Sequence, residues 1–407
     1  MVIIMNNLTQ WIESQSLRHL EKITQLSDTI WSLKEVKFET QESAKLMANT
    51  LEEQGFSIEF GVAGLQSAFV ASYGEFGPTV GFLAEYDALE GVGHACGHNL
   101  LGSGSTLAAI LCKEYQQETH KPFQIKLFGC PAEESGYGKS IMAAAGVFDD
   151  VDIMLTWHPN NFTQIWADET LAVRQAEFEF KGIASHAAGA PELGRSALDA
   201  CELMNVGVNY LREHVLPSVR MHYAYLDAGG PSANVVQETA KLYYFIRDET
   251  LAGVNEVLER VEKIAQGAAL MTETTLDIHY DGLCKSYHAN QELSKLLHES
   301  LVALGPIDYG DQSSDYDSKI LEPIFEQKGM VSTDVGDVSW ITPTAQAFIA
   351  CEPIKYPMHS IQWTENGTTK IAHLGIKKAG EALALTAIKV MNDSSLLESI
   401  QASFKGE

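Results

Sequence analysis

Residues 82–106 read FLAEYDALEGVGHACGHNLLGSGST, and this stretch joins an apolar strand pattern to a small-residue helix that starts near Leu101. The same order of strand, polar turn and helix returns at 123–148, and a further apolar run at 151–157 leads into a histidine and Pro159. Strands that alternate with helices are typical of an α/β layer sandwich. We therefore predict a three-layer α/β domain with a mostly parallel central sheet.

The pattern changes at Arg174. From there the chain shows a strand, a helix, two alternating strands, a second helix and a last strand, ending near residue 283. The order β-α-β-β-α-β is typical of a split-βαβ, ferredoxin-like unit. A helical pattern then returns the chain to the first domain. We predict a discontinuous domain formed by residues 1–173 and 284–407, with a second domain inserted at 174–283.

Composition excludes several classes of partner. The chain of 407 residues has 54 acidic and 28 basic side chains, a formal net charge of −26. Such a surface repels phosphate backbones and anionic lipids, so we expect neither nucleic acid nor membrane as a partner. No apolar run approaches the ~20 residues that cross a bilayer.

The expected location is the cytoplasm. The N-terminus, where either Met1 or Met5 is the natural start, lacks the basic segment and the small-residue cleavage site of a secretory leader. The six cysteines are scattered singly along the chain, which does not indicate a disulfide framework.

The glycine-rich turn after the first buried strand allows three interpretations. Gly91, Gly93 and Gly97 are spaced one residue wider than a dinucleotide fingerprint, and imidazoles crowd a turn where a pyrophosphate needs bare backbone. A thiol nucleophile is the second interpretation, with Cys96 beside a histidine base, but it leaves the rest of the chain unexplained. The third interpretation is a metal site.

A metal site accounts for more of the sequence. A thiolate and an imidazole two residues apart are good ligands for zinc-like cations. Open α/β sheets place their sites at the carboxyl ends of strands, and further acidic and histidine side chains follow strands or turns in CPAEES, TWHP and KYPMHS. The candidate ligands are Cys96, His98, Glu134, His158 and His359.

Five ligands are too many for one tetrahedral catalytic zinc that keeps a water position. They suit two metal ions about 3.5–4 Å apart that share a bridging ligand. Adjacent side chains diverge, so Glu134 can bind metal while Glu133 faces the reacting water as a general base. We expect Asp87 to orient a ligand imidazole.

Seven motifs together carry a family resemblance. They are AEYDALEGVGHACGHN (84–99), CPAEESGYGK (130–139), TWHP (156–159), GIASHAAGAPELGRSALDA (182–200), SANVV (232–236), STDVGDVSW (332–340) and MHS (358–360). Through them nearly the whole chain resembles the aminoacylase/carboxypeptidase family of dinuclear metallopeptidases. It is most similar to the amidohydrolase branch that includes p-aminobenzoyl-glutamate, hippurate and auxin-conjugate hydrolases.

The resemblance implies an amide hydrolase with two zinc or manganese ions, acting on N-acyl or N-aminoacyl amino acids. It implies that the discontinuous domain is catalytic and that the inserted domain is a lid through which copies form a homodimer or tetramer. In the inserted domain, His186 is similar to a histidine that polarises the scissile carbonyl, often from the partner subunit. Asn234 and Arg247 resemble a pair that grips the substrate carboxylate.

Two departures from the family pattern leave metal identity and substrate pocket open. Many relatives have Asp where this chain has Asn99, and Glu-Asp-Phe where it has Gly336-Asp337-Val338. Two other functions also stay open. One is a metal-containing binding protein without hydrolytic activity, and the other is a thiol hydrolase that uses Cys96.

Overall fold

The computed structural model describes residues 2–325 and 327–404, and these divide into two compact units. The first unit consists of the described residues of Met1–Glu169, Tyr287–Gly329 and Asp334–Glu407. The second unit consists of Thr170–Ser286 and Met330–Thr333. The second unit is therefore an insertion in the chain of the first, completed by a short segment from further along.

Strands and helices are numbered in chain order over the described residues. The strands are β1 (Ser57–Phe60), β2 (Phe69–Tyr73), β3 (Thr79–Glu85), β4 (Gln124–Cys130), β5 (Ile153–Asn160), β6 (Gln164–Ile165), β7 (Ala172–Lys181), β8 (Arg220–Asp227), β9 (Thr239–Asp248), β10 (Thr275–Cys284) and β11 (Thr344–Ala350). The helices are α1 (Val2–Leu33), α2 (Gln41–Glu52), α3 (His98–Thr119), α4 (Gly138–Ala144), α5 (Ala197–Leu211), α6 (Leu251–Thr272), α7 (Gln291–Leu304), α8 (Val335–Ser339), α9 (Ile361–Asn366), α10 (Lys370–Asn392) and α11 (Ser394–Ser403).

The first unit is built on a seven-stranded sheet in the order β1-β2-β4-β3-β5-β11-β6. Its four central strands, β4, β3, β5 and β11, run parallel to one another, and the flanking strands are antiparallel to their neighbours. Every residue of β3 is buried, as expected for a central strand that is covered on both faces. The predicted mostly parallel central sheet is confirmed.

Helices cover both faces of this sheet. Along β3, Phe82 and Ala84 belong to the larger core, which is packed with side chains of α1, α2, α3, α7 and α10. Leu83, which points the other way, belongs to a smaller core with side chains of α4 and α8. Small residues let α3 approach the sheet closely: a Cβ on Gly104 would lie 2.6 Å from the Trp157 indole nitrogen. These three layers agree with the predicted architecture.

The second unit is a four-stranded antiparallel sheet in the order β10-β7-β9-β8. Helices α5 and α6 pack on one face, where Met204 and Val261 contribute to a core with Phe178 and Leu242. The chain order β7-α5-β8-β9-α6-β10 confirms the predicted split-βαβ unit. Strand β8 lies at the sheet edge, and most of its side chains are exposed.

Two elements differ from what the sequence pattern predicted. Helix α3 begins at His98 rather than near Leu101, because Gly97 in a left-handed conformation ends the turn directly before it. Strand β11 lies between β5 and β6 in the sheet, although its sequence, TAQAFIA, offers only a short pattern rich in alanine. None of the described helices is both long and apolar enough to cross a membrane.

Candidate metal centre

The turn between β3 and α3 presses the start of the helix against the sheet. A Cβ on Gly97, whose φ is 77°, would come within 2.9 Å of the Pro159 ring at the end of β5. A Cβ on Gly102 would lie 2.5 Å from the carbonyl oxygen of Glu85 at the end of β3. Bulkier residues at either position would move the helix. The two glycines therefore keep His98 close to the carboxyl ends of both strands.

His98 is fully buried and has a fixed orientation. Its Nδ1 lies 3.0 Å from the carbonyl oxygen of Asp87 and 3.2 Å from Asp87 Oδ1, and because both are acceptors, Nδ1 donates the proton. The other nitrogen, Nε2, has no hydrogen-bond partner among the described residues. Asp87 Oδ2 also accepts the backbone N–H of Glu134 at 3.1 Å. Asp87 thus holds the positions of two predicted ligands.

Three sets of potential ligand atoms gather around this helix start. Within each set the atoms lie within 4.8 Å of one another: Cys96, His98 and His158; Cys96, Glu134 and His359; Glu85, His98 and Glu133. The first two sets contain all five ligands predicted from the sequence, and both include Cys96. Cys96 is therefore common to both sets.

Cys96 and His158 are in direct contact within the first set. Cys96 Sγ lies 3.3 Å from His158 Nε2, while His158 Nδ1 donates to the Pro159 carbonyl at 2.7 Å. Burial raises the pKa of the Cys96 thiol well above its usual range. Burial, with the neighbouring His98, lowers the pKa of His158 to about 4. Both shifts favour the uncharged forms, and a thiol is a weaker nucleophile than a thiolate.

His359 reaches the second set from a distant part of the chain. Its backbone adopts a left-handed conformation, with φ 64°, and its N–H donates to the Ala95 carbonyl at 3.0 Å. This contact fixes the loop before α9 next to the turn that contains Cys96. His359 Nε2 lies 3.8 Å from Glu134 Oε2, and Glu134 Oε1 is buried with no hydrogen-bond partner among the described residues.

Glu133 faces the centre from the same turn as Glu134. The turn begins at Ala132, whose φ of 62° bends the chain sharply after β4. Glu133 Oε2 lies 3.8 Å from His98 Nε2. Burial, together with the charges of Glu85 and Glu134, raises the pKa of Glu133 well above its usual range. A carboxylate with a raised pKa is a stronger proton acceptor, as a general base requires.

The donor set fits divalent metal ions. It combines one sulfur, three imidazoles and several carboxylates, which is a mixture that zinc and manganese accept. Three of its buried atoms, His98 Nε2, Glu134 Oε1 and Glu85 Oε2, have no hydrogen-bond partner in the described part of the chain. Buried polar atoms are normally satisfied, so unpartnered atoms on residues of these ligand sets fit cations bound beside them.

Three charged residues beside this centre were not predicted from the sequence. Glu85, Lys139 and Asp334 are almost completely buried, and Lys139 Nζ lies 2.7 Å from Glu85 Oε1 and 2.5 Å from Asp334 Oδ1. The one available signal was a lysine in the otherwise small and apolar segment GYGKSIMAAAG. Nothing in the sequence showed which acidic residues it meets.

The structure accounts for one of the two departures from the family pattern, Asn99, and places the residues of the other on α8. Asn99 is buried, and its side-chain nitrogen donates to Ser27 Oγ at 3.0 Å and to the Gly367 carbonyl at 3.2 Å. An ionised aspartate could not make either bond, because it has no donor. Asp337 lies on α8, where one of its oxygens accepts from Ser140 Oγ at 2.6 Å.

The remaining predicted site residues lie in the second unit. His186 and Asn234 occupy adjacent turns, joined by a bond from the Ala187 N–H to the Asn234 carbonyl at 2.9 Å. His186 Nδ1 accepts the N–H groups of Ala188 and Gly189 at 3.2 and 3.0 Å. The proton of a neutral His186 is therefore on Nε2, on an exposed ring.

Arg247 lies on β9 of the same unit. Its Nη1 donates to Ser332 Oγ at 2.5 Å, and its guanidinium lies 5.5 Å from the centre of the Phe245 ring. The Ser332 oxygen donates in turn to the Leu171 carbonyl at 2.7 Å. The side chain is therefore held by one hydroxyl and one aromatic face.

Comparison with known proteins adds to this geometry. Residues 77–305 match the model of peptidase family M20/M25/M40. The chain is 36% identical to one of the subunits of the p-aminobenzoyl-glutamate hydrolase of Escherichia coli K12, over 98% of this chain and 95% of that protein. It is 28% identical to mouse Xaa-Arg dipeptidase, over 95% and 89% of the two chains.

A solved structure shares the fold. The aminobenzoyl-glutamate utilization protein from Klebsiella pneumoniae superposes with a TM-score of 0.71 at 20% sequence identity. The superposition covers 93% of this chain and 98% of that one.

Proposed function

The chain belongs to peptidase family M20/M25/M40, and from this premise we propose a two-metal amidohydrolase that cleaves N-acyl or N-aminoacyl amino acids. As a member of the family it is a metal-dependent hydrolase of amide bonds. The observation that carries the finer proposal is the pair of ligand sets that share Cys96, with Glu133 beside them.

The residues have separate tasks in this mechanism. Cys96, His98, Glu134, His158 and His359 would hold two divalent cations, zinc or manganese, which supply Lewis acidity to the carbonyl and acidify the attacking water. Glu133 accepts a proton from that water at its carboxylate as the oxygen attacks the amide carbon. It then returns the proton to the amine nitrogen as the C–N bond breaks. Asp87 keeps His98 in the tautomer whose Nε2 lone pair is free.

The substrate class follows from the relatives. The Escherichia coli relative is named for p-aminobenzoyl-glutamate and the mouse relative for Xaa-Arg dipeptides. Both substrates contain an amide next to an amino acid with a free carboxylate. We infer that this chain releases such an amino acid from an aromatic acyl group or a second amino acid.

A substrate panel with chelation tests the proposal. Purified enzyme should hydrolyse at least one compound among p-aminobenzoyl-glutamate, benzoyl-glycine and Xaa-Arg dipeptides, as measured by release of the free amino acid. Activity should disappear after dialysis against a strong chelator and return with zinc or manganese. Activity that survives chelation would contradict the metal mechanism and favour the thiol hydrolase. Binding of these compounds without turnover would favour a binding protein.

The second unit is proposed to supply the contacts to the rest of the substrate. His186 would donate from Nε2 to the scissile carbonyl, because its Nδ1 is already an acceptor. Asn234 and Arg247 would bind the carboxylate, for which a guanidinium is well shaped. We expect His186→Ala to lower kcat by about 10²–10³-fold and Arg247→Met mainly to raise KM. Steady-state kinetics tests both roles. An unchanged kcat in His186→Ala and an unchanged KM in Arg247→Met would contradict them.

We also propose that the enzyme is a homodimer or tetramer. Strand β8 offers an unpaired edge with exposed Tyr223, Tyr225 and Leu226, and an edge of this kind pairs readily with a second copy. Sedimentation velocity should give at least twice the mass of one chain at concentrations where the enzyme is active. An active monomer would contradict both the assembly and a contribution of His186 from a partner subunit.

The proposed compartment is the cytoplasm. All six cysteines are buried, and no disulfide joins any of them in the described part of the chain, as is common in a reducing compartment. Cell fractionation should recover the enzyme with cytoplasmic markers, and recovery from the culture medium or the periplasm would contradict this location.

A further inference from the structure

A buried chain of charges touches the proposed metal centre and has no part in the mechanism above. Glu85 is 2% exposed at the end of β3, and Lys139 and Asp334 are fully buried. Lys139 Nζ lies 2.7 Å from Glu85 Oε1 and 2.5 Å from Asp334 Oδ1. Within this cluster, one buried ammonium is therefore shared by two carboxylates.

The cluster links three elements that surround the centre. Lys139 lies in the first turn of α4, which directly follows the turn with Glu133 and Glu134. Asp334 directly precedes α8 and accepts the backbone N–H of Lys139 through Oδ2 at 2.9 Å. Glu85 belongs to the strand that leads to the histidine-rich turn. Lys139 thus sets the end of β3 relative to α4 and α8.

Stability alone does not explain this cluster, because burying charged groups is unfavourable in free energy. Removing charges from water costs several kcal/mol per ion, and apolar residues of similar size are often at least as stable. Lys139 Nζ has a carboxylate oxygen on each side, at 2.7 Å and 2.5 Å. A cluster of three ionisable groups is therefore kept at a position where apolar side chains would serve stability alone.

The surroundings of the second oxygen of Glu85 indicate a function for the cluster. Glu85 Oε2 lies 3.2 Å from His98 Nε2, and neither atom has a hydrogen-bond partner among the described residues. His98 gives its Nδ1 proton to Asp87. Two buried acceptor atoms at this distance repel each other unless a proton or a metal cation lies between them. The same two residues belong to a potential cation set with Glu133.

We propose that Glu85 is a further carboxylate of the metal centre, contributing Oε2 to the cation at His98 while Lys139 and Asp334 hold Oε1. This inference rests on the two-metal centre of the proposed function. Lys139 is then a positioning residue that acts through Glu85. Because Oε1 is occupied by the ammonium, Glu85 has only Oε2 available for a cation at His98.

The test is metal binding by apo-protein, measured without substrate. Zinc affinity is determined by competition with a chromophoric chelator, metal content by plasma mass spectrometry, and the cobalt-loaded protein by its electronic spectrum. Glu85→Gln should weaken one of two bound ions by about 10–100-fold, the range found when a residue supporting a metal ligand is lost. The other ion should bind as in the wild type, and the cobalt bands of one site should shift.

The variant Lys139→Met shows whether Lys139 acts by positioning Glu85 or only through its own positive charge. The ammonium of Lys139 repels nearby cations, so its removal would by Coulomb's law alone tighten metal binding. If Lys139 positions Glu85, binding of the same ion should instead weaken. The double variant Glu85→Gln/Lys139→Met should then bind zinc no more weakly than Glu85→Gln alone, since both changes act on one contact. It also removes opposite charges together, so it reports on the contact if Lys139→Met does not fold.

Two matched controls lie in the same unit. Glu381 is fully buried and pairs with Lys377 at 2.6 Å, and buried Lys378 donates to the carbonyls of Leu304 and Gly305. Glu381→Gln and Lys378→Met should bind both ions normally. Wild-type affinity for both ions in Glu85→Gln, or tighter binding in Lys139→Met, would overturn this inference but leave the proposed function unaffected. A wild-type chain that binds fewer than two ions would overturn the proposed function itself.

Discussion

Replacing Glu133 by glutamine should lower kcat by about 10²–10⁴-fold while both metal ions stay bound, because general acid–base catalysis contributes rates of this order. Glutamine has nearly the same shape as glutamate but cannot accept the water proton. Glu133 Oε2 lies 3.8 Å from His98 Nε2, in a turn that holds it at the centre without placing it in the two sets that share Cys96. The measurement is kcat at saturating substrate together with metal content per chain.

The neighbouring residue provides the matched control. Glu134→Gln makes the same chemical change one position along, but Glu134 belongs to the set with Cys96 and His359. It should lose metal as well as activity. Both variants should thus lose a similar part of the activity, but Glu133→Gln keeps its metal ions and Glu134→Gln loses metal. Wild-type turnover in Glu133→Gln would remove Glu133 from the role of base.

Replacing Cys96 by alanine should abolish binding of both metals, and activity with it. Cys96 belongs to both ligand sets, so one substitution removes a ligand from each ion. Residues that merely orient a metal ligand already account for about 10–100-fold in affinity, and loss of a shared ligand should exceed that. Zinc titration of the apo-variant measures the loss. Retention of either ion at wild-type affinity would show that the sulfur does not bridge the two.

A second cysteine on the same stretch of chain is the control. Cys112 is fully buried on α3, fourteen residues after His98, and belongs to no potential ligand set among the described residues. Cys112→Ala should keep both ions and most of the activity. A loss of metal in this variant would mean that alanine at a buried cysteine disturbs α3 as a whole, and Cys96→Ala would then not report on ligation.

Several residues of the centre could be predicted from the sequence because they directly follow the ends of strands. Cys96, Glu134 and His158 each follow a buried apolar run, and parallel strands bring their carboxyl ends to one edge of a sheet. The family resemblance, now confirmed, placed His359 in the same set, although its approach depends on a left-handed backbone that no local pattern indicates. The sheet and the inserted unit were predicted because their strands and helices are long and regular.

The Glu85–Lys139–Asp334 cluster could not be predicted in the same way. Lys139 and Asp334 are 195 residues apart, and their contact depends on how α4 and α8 pack on one face of the sheet. A charged residue near an apolar segment usually indicates a solvent-exposed face. Full burial of all three charges is a property of the packed layers, and one sequence contains no signal for it. Glu85 was therefore overlooked beside Asp87, two residues further on.

Metal content per chain tests the central claim most directly. The protein is equilibrated with zinc and, separately, with manganese, freed of excess ions, and analysed by plasma mass spectrometry beside Cys96→Ala and Cys112→Ala. Two ions per chain in the wild type and in Cys112→Ala, and none in Cys96→Ala, is the predicted result. One ion or none in a folded wild-type chain would contradict the two-metal centre on which the proposed mechanism depends.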